Sequence, residues 1–168
     1  MEHEAYMNLA LALAREAAAA GEVPVGCVIV GPDGDVIGRG RNRREETPDA
    51  TAHAEIEAIR EACAALGGWR LEDCRLYVTL EPCPMCAGAI INARVPAVYY
   101  GAREAQIGAC GSVIDLFFER FGHQPTVSAG LCGEACAGLL KDFFEEKRKG
   151  PLSKKGAVGK PTEGFPTM

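Results

Sequence analysis

The chain has 168 residues, 48% of them apolar and 24% charged, with a net charge of −5. That is enough for one domain burying roughly 70% of its unfolded surface; the sequence shows neither the run of about 20 apolar residues that a membrane span needs nor a basic leader with an apolar centre. The acidic balance excludes a general polyanion coat, but the charge is uneven: residues 141–168 carry +3 and the first 140 carry −8, so a nucleic acid would meet basic groups mainly near the C-terminus.

Tyr6, Leu9, Ala10, Leu13 and Ala17 recur at helical spacing, which predicts a helix over residues 4–20 stopped by Gly21. Residues 25–30 read as a short apolar strand. Pro32-Asp-Gly-Asp35 reads as a turn, and 36–41 as the antiparallel return. A polar loop follows over 43–50. A second helix is expected over 52–66, with Ile56, Ile59, Cys63 and Leu66 inward and Gly67-Gly68 ending it. Residues 75–80 read as a strand, 84–93 as a helix opened by Pro84, and 98–100 as a strand. A Gly-rich loop is expected over 101–112, a short helix over 113–120, a strand over 126–129, and a last helix over 133–148 with an apolar stripe of Leu139, Leu140, Phe143 and Phe144. Helices alternating with five strands, two of them a hairpin, predict an α/β fold: a three-layer α/β/α sandwich around a mixed five-stranded sheet. We read 1–149 as the folded domain and 150–168, rich in Gly, Pro and Lys, as a disordered basic tail.

Eight cysteines without a secretory leader favour buried free thiols over disulfides. Two of them stand apart, in Glu81-Pro-Cys-Pro-Met-Cys86. Cys83 and Cys86 are three apart at a helix start, so they share a face, and the positive end of the helix favours the thiolates that a metal needs. Upstream lies Thr51-Ala-His-Ala-Glu-Ile56. His53 alone would read as a core histidine, and Glu55 as a capping acid; with Thr51 as N-cap, however, the capping-box position falls on Ala54. Cys-x-x-Cys alone could be a redox pair or half of a structural zinc site. Together the two halves give three zinc ligands, His53, Cys83 and Cys86, and a spare carboxylate, Glu55. Three ligands leave zinc a fourth position for water, which suits catalysis. Glu55 would take a proton from that water and pass it to a ring nitrogen and then to a departing amine.

An H-x-E followed by P-C-x-x-C is the signature of zinc nucleobase deaminases. With it come Glu22-Val-Pro-Val-Gly26, Thr79-Leu-Glu-Pro-Cys83, Met85-Cys-Ala-Gly-Ala89, Gly101-Ala-Arg103, Gly111-Ser112 and Asp142-Phe-Phe144. Over roughly residues 4–148 the chain resembles the bacterial tRNA-specific adenosine deaminases of the cytidine deaminase superfamily. The resemblance implies a cytidine deaminase-like fold, one Zn2+ per subunit on His53, Cys83 and Cys86, and Glu55 as the catalytic proton shuttle. It implies a base pocket lined by Val25 and Ala54, with Asn42 hydrogen-bonded to the purine, and substrate contacts from Arg103, Glu104, Phe143 and Phe144. It further implies a cytoplasmic hydrolase that converts adenosine to inosine at the wobble position of a tRNA anticodon stem-loop and works as a homodimer. The helix opened by Pro84 is apolar all round through Ala87, Gly88, Ala89 and Ile91, as a partly subunit-covered helix would be.

Two positions depart from the family pattern. Glu104 and Gln106 stand where the family usually has Asp and Lys, which bears on RNA grip. The Cys132/Cys136 pair is no family metal site and reads as buried thiols. Phosphate contacts are expected from Lys141, Lys147, Arg148 and Lys149, less from Lys154, Lys155 and Lys160, with Arg41, Arg43, Arg44 and Arg103 as a second path. The rival readings are a free-base deaminase for guanine or cytosine with the same zinc site, and a non-catalytic RNA-binding zinc protein, in which Glu55 would have no use.

Overall fold

The computed structural model describes residues 2–150; the expected tail from 151 onward lies outside the described residues. The elements run α1 (Glu2–Ala19), β1 (Gly26–Val30), β2 (Val36–Arg41), α2 (Ala54–Leu66), β3 (Arg75–Leu80), α3 (Pro84–Asn92), β4 (Ala97–Ala102), a 3-10 turn (Leu116–Phe118), β5 (Thr126–Ala129) and α4 (Gly133–Lys149). The strands form one sheet in the order β2-β1-β3-β4-β5. β1 is antiparallel to both β2 and β3, whereas β3, β4 and β5 are parallel, so the sheet is mixed as the sequence predicts.

Alternation along the strands sorts the core into two layers. Cys27, Ile29, Leu76, Val78 and Val98 pack with α2 and α3. Val28, Val30 and Tyr77 pack on the other face, against Met7, Ala10 and Leu11 of α1 and Cys136 of α4. β1, covered on both faces, is buried at every residue.

Five sequence expectations change. The inward face of α2 is Ala54, Glu55, Ala58 and Ala62; Leu66 is 48% exposed, and Ile56, Ile59 and Cys63 are only half-buried. The cause lies in β2, where a Cβ at Gly40 would meet the Ala54 carbonyl and, at 2.7 Å, the Ala58 nitrogen. Helix and strand approach so closely that only small side chains fit between them. β4 extends through Gly101 and Ala102, expected as loop, because Leu80 pairs with Ala102, and a Cβ at Gly101 would occupy the place of Cys136 Sγ. The helix expected over 113–120 shrinks to the 3-10 turn, since the Leu116 N–H bonds back to the Ala109 carbonyl at 2.8 Å instead of propagating a helix. In α3 only Cys86, Ala87, Ile90 and Ile91 are buried, while Met85 is 37% exposed, so the helix covers the core with one face and presents the other. All eight cysteines are free, but Cys63 and Cys132 are only half-buried.

Candidate metal centre and active site

α2 and α3 start off one end of the sheet, and each places a ligand at its N-cap. His53 caps α2 with extended backbone (φ −83°, ψ 153°), two positions later than Thr51 would have done. Cys83 caps α3 (φ −75°, ψ 172°), with Pro84 at the first helical position and Cys86 one turn in. Neither cap residue makes a side-chain capping bond to its own helix. Both side chains are therefore free to face each other.

His53 Nδ1 lies 3.7 Å from Cys83 Sγ and 3.4 Å from Cys86 Sγ. Zn–S bonds of about 2.3 Å and Zn–N bonds of about 2.05 Å at a tetrahedral angle put sulfur and nitrogen about 3.6 Å apart. The three donor atoms all lie within 4.8 Å of one another, so the residues fit a single zinc ion. Their protonation is interlocked. Hydrogen bonding to Cys83 raises His53 above its usual range. Hydrogen bonds from Cys86, and from His53 against the effect of burial, hold the Cys83 thiol down at about 4. Cys86, bonded to the Cys83 thiolate, buried and facing Glu55, is pushed strongly up. A divalent cation satisfies all three donors at once, and the helix N-termini add positive potential for the thiolates. The other described histidine rings are engaged elsewhere, His3 with the Tyr77 hydroxyl at 2.7 Å and His123 with the Val95 carbonyl at 2.8 Å.

Glu55, in the first turn of α2, is 4% exposed. Burial pushes its carboxyl above the usual range, against its own backbone N–H, the Cys86 thiol and the His53 charge. A carboxyl whose proton affinity is raised by burial is suited to take a proton and give it back.

The ligands open into a cavity of about 170 Å³ lined by Val23, Val25, Asn42, Arg44, His53, Glu55, Leu80, Glu81, Cys83, Glu104, Ile107 and Phe144. Of the residues expected in the substrate site, Val25, Asn42, Glu104 and Phe144 are on this wall. Asn42 is 8% exposed; its Oδ1 accepts the Ala54 N–H at 3.1 Å and its Nδ2 donates to the Val23 carbonyl at 3.2 Å. That leaves one N–H and one lone pair of the amide. Glu104 Oε1 accepts the Gln106 N–H at 2.9 Å, closing a local turn. Ala54, Arg103 and Phe143 are not brought to the cavity. Ala54 is fully buried against β2. Arg103 is exposed. Phe143 packs edge-on against Phe144 at 5.4 Å and under Lys147.

Sequence reasoning gave no site role to Glu81, Ile107, Leu80 and Val23 on the wall or to Glu22, and it named Arg44, also on the wall, only as part of a second phosphate path. Glu22, 2% exposed, accepts the backbone N–H groups of Glu45 and Glu46 and so anchors the segment that carries Arg44. Its only signal was an acid inside the apolar run Glu22-Val-Pro-Val-Gly26.

A family model described as the cytidine and deoxycytidylate deaminase zinc-binding region matches residues 1–102, which contain all three donors. The chain belongs to this deaminase family. Within it, the chain is 48% identical over 149 residues to a tRNA-specific adenosine deaminase of Bacillus subtilis, covering 88% of this chain and 92% of that protein. It is 50% identical over 145 residues to a tRNA(Ile)-lysidine synthase of Deinococcus radiodurans, covering 86% of this chain but spanning only 25% of that longer protein. A solved tRNA:A34 deaminase, described by its A-to-I editing at the wobble position of transfer RNA, shares 49% identity at a TM-score of 0.77 over 80% of this chain and 97% of that one. A solved guanine deaminase of Nitrosomonas europaea shares the deaminase fold at 28% identity and a TM-score of 0.75, over 84% of each chain.

Proposed function

We propose that this deaminase-family chain hydrolyses adenosine to inosine and ammonia at the wobble position of a tRNA anticodon stem-loop. The observation that carries the proposal is the His53–Cys83–Cys86 donor set with the buried Glu55 carboxyl opening into one cavity. Identities of 48% and 49% to proteins named for that reaction, against 28% to the guanine deaminase, favour it over the free-base reading. One zinc per subunit is expected on His53, Cys83 and Cys86; when bound it supplies Lewis acidity that brings the pKa of a coordinated water from 15.7 to about 7.

Glu55 then performs the proton transfers. Its carboxylate accepts the proton of the attacking water, delivers it to the adenine ring nitrogen beside the reacting carbon, and protonates the exocyclic nitrogen as the C–N bond breaks. Atoms balance as adenosine plus water giving inosine plus ammonia. Asn42 offers its remaining N–H and lone pair to the purine edge, and Val25 packs against the base. Glu104 and Phe144 guide the neighbouring nucleotides, with Arg103 and Phe143 further out. An unpaired loop base suits so small a cavity, because it is extracted without breaking a pair. Among the described residues no helix is long and apolar enough to cross a membrane; a tRNA substrate supports a cytoplasmic enzyme.

We further expect a homodimer through the open face of α3. Met85 on α3 and Val113, Ile114 and Phe118 in and before the 3-10 turn that packs on α3 are exposed, the last 77% exposed, and large apolar side chains left in solvent support an interface there. Incubation with an anticodon stem-loop carrying adenosine at the wobble position, and separately with guanine, tests the substrate. Inosine from the stem-loop and no turnover of guanine is the expected result; the reverse overturns the proposal.

A further inference from the structure

The segment between β4 and the 3-10 turn carries Glu104 and Ile107 into the cavity wall, yet has no helix or strand of its own to hold it. Beside the Ala109 N–H bond to the Pro82 carbonyl at 2.9 Å, one carboxylate ties it to the body of the protein. Glu81, directly after β3, is 2% exposed. Its Oε1 accepts the Glu104 N–H at 3.2 Å and the Ser112 hydroxyl. Its Oε2 accepts the Cys110 N–H at 3.0 Å and the Ser112 N–H at 3.1 Å. A carboxylate has about four acceptor sites, so three backbone donors and one hydroxyl of a single loop fill it. Among the described residues the ion pairs leave Glu81 out. Gly108 makes the close approach possible, because a Cβ there would meet the Glu104 carbonyl and the Glu81 carboxylate.

We infer that Glu81 is a positioning residue for substrate recognition: it folds the 104–112 loop over the cavity and so sets where Glu104 and Ile107 meet the substrate. It touches no reacting atom, since its acceptor capacity is spent on the loop. A loop held by buried charge-assisted bonds is pre-organised, so the substrate need not order it on binding. The inference rests on the deaminase reading above.

Glu81→Gln keeps the shape but turns an amide NH2 toward incoming donors. Ser112→Ala removes only the hydroxyl, and Gly108→Ala wedges the same contact from the loop side. Each variant is assayed as full-length, zinc-loaded protein for zinc content, for hydrogen exchange at the Glu104, Cys110 and Ser112 amides without RNA, and for kcat and KM on the stem-loop. In Glu81→Gln the three amides should lose protection, zinc content should hold, and KM should rise roughly tenfold or more with a smaller change in kcat. Ser112→Ala and Gly108→Ala should move the same readouts in the same direction, and they decide the matter alone if Glu81→Gln does not fold. Unchanged amide protection, or loosened amides with an unchanged KM, overturns the role of Glu81; so does a loss of zinc that accounts for the lost activity. If the unsubstituted enzyme converts guanine and not the stem-loop, the wobble reading falls, and the same KM-against-kcat comparison on guanine supports or overturns the role of Glu81.

Discussion

Asn42 caps a helix that does not cap itself: its Oδ1 accepts the Ala54 backbone N–H at 3.1 Å, while the N-cap residue, His53, makes no side-chain bond to α2. The first turn of a helix has orphan donors, and the ring that would sit nearest them points at two thiols instead. The end of β2 supplies the missing acceptor, which ties the strand register to the position of His53 and Glu55.

The exchange predicts two separable effects at one residue. Asn42→Ala should lower stability by about 0.5–2 kcal/mol, as loss of a cap does, and should also lower turnover. Asn42→Asp restores an acceptor for the Ala54 N–H and places a negative charge at a helix N-terminus, so thermal unfolding should return part of the way toward that of the parent, the bond to the Val23 carbonyl being lost. Turnover should stay low, because the donor toward substrate is gone. Equal recovery of stability and activity in the Asp variant would deny Asn42 any contact with the base.

Cys83→Ser should abolish stoichiometric zinc. Purified parent protein should carry about one zinc per chain, as one three-ligand site implies. Metal analysis of the two proteins after dialysis decides it, and full retention by the variant would remove Cys83 from the site. Because the donors must lose protons to bind the ion, zinc retention should also weaken as pH falls.

The candidate metal cluster was legible because ligand chemistry restricts residue type and spacing: a His, and two Cys three apart behind a proline, at the starts of two consecutive helices. The order of elements followed from apolar periodicity, which is local. What escaped depends on partners distant in sequence. The inward face of α2 looked like Ile56, Ile59 and Leu66 until Gly38 and Gly40 of β2 set the helix so close that alanines had to face the sheet. Glu22 and Glu81 stood inside quoted motifs without a role, since a carboxylate satisfied by backbone N–H groups needs no basic residue to announce it. Arg103 and Phe143 were neighbours in sequence of the residues that do reach the cavity; Arg103 is exposed just past β4, and Phe143 packs against Phe144 and Lys147.

Glu55→Ala should keep zinc and the fold but lower the rate by about 10²–10⁴, the usual worth of a positioned acid–base group. Glu55 makes no metal contact in the proposed set, so zinc content isolates the proton-transfer role. Near-parent turnover by the zinc-loaded variant would assign proton transfer to another group.

The RNA path divides the arginines by what already holds them. Arg41 pairs with Glu46 at 3.0 Å and Arg43 with Glu57 at 3.4 Å, so neither is free to neutralise a phosphate without breaking an existing contact. Arg44, exposed, stands on the cavity wall beside the metal ligands. Lys147, Arg148 and Lys149 form the exposed last turn of α4, the helix that sends Phe144 to the same cavity. Each phosphate neutralised on a single strand contributes roughly −0.7 to the slope of log affinity against log salt. Arg44→Ala should therefore flatten the slope by about that amount and raise KM, with kcat little changed because the zinc donors and Glu55 are intact. Replacing Lys147, Arg148 and Lys149 together by Ala should flatten it further if the helix end tracks the backbone. Binding of the stem-loop across a salt series measures both, and a slope unaltered in the Arg44 variant would move the phosphate path away from the cavity rim.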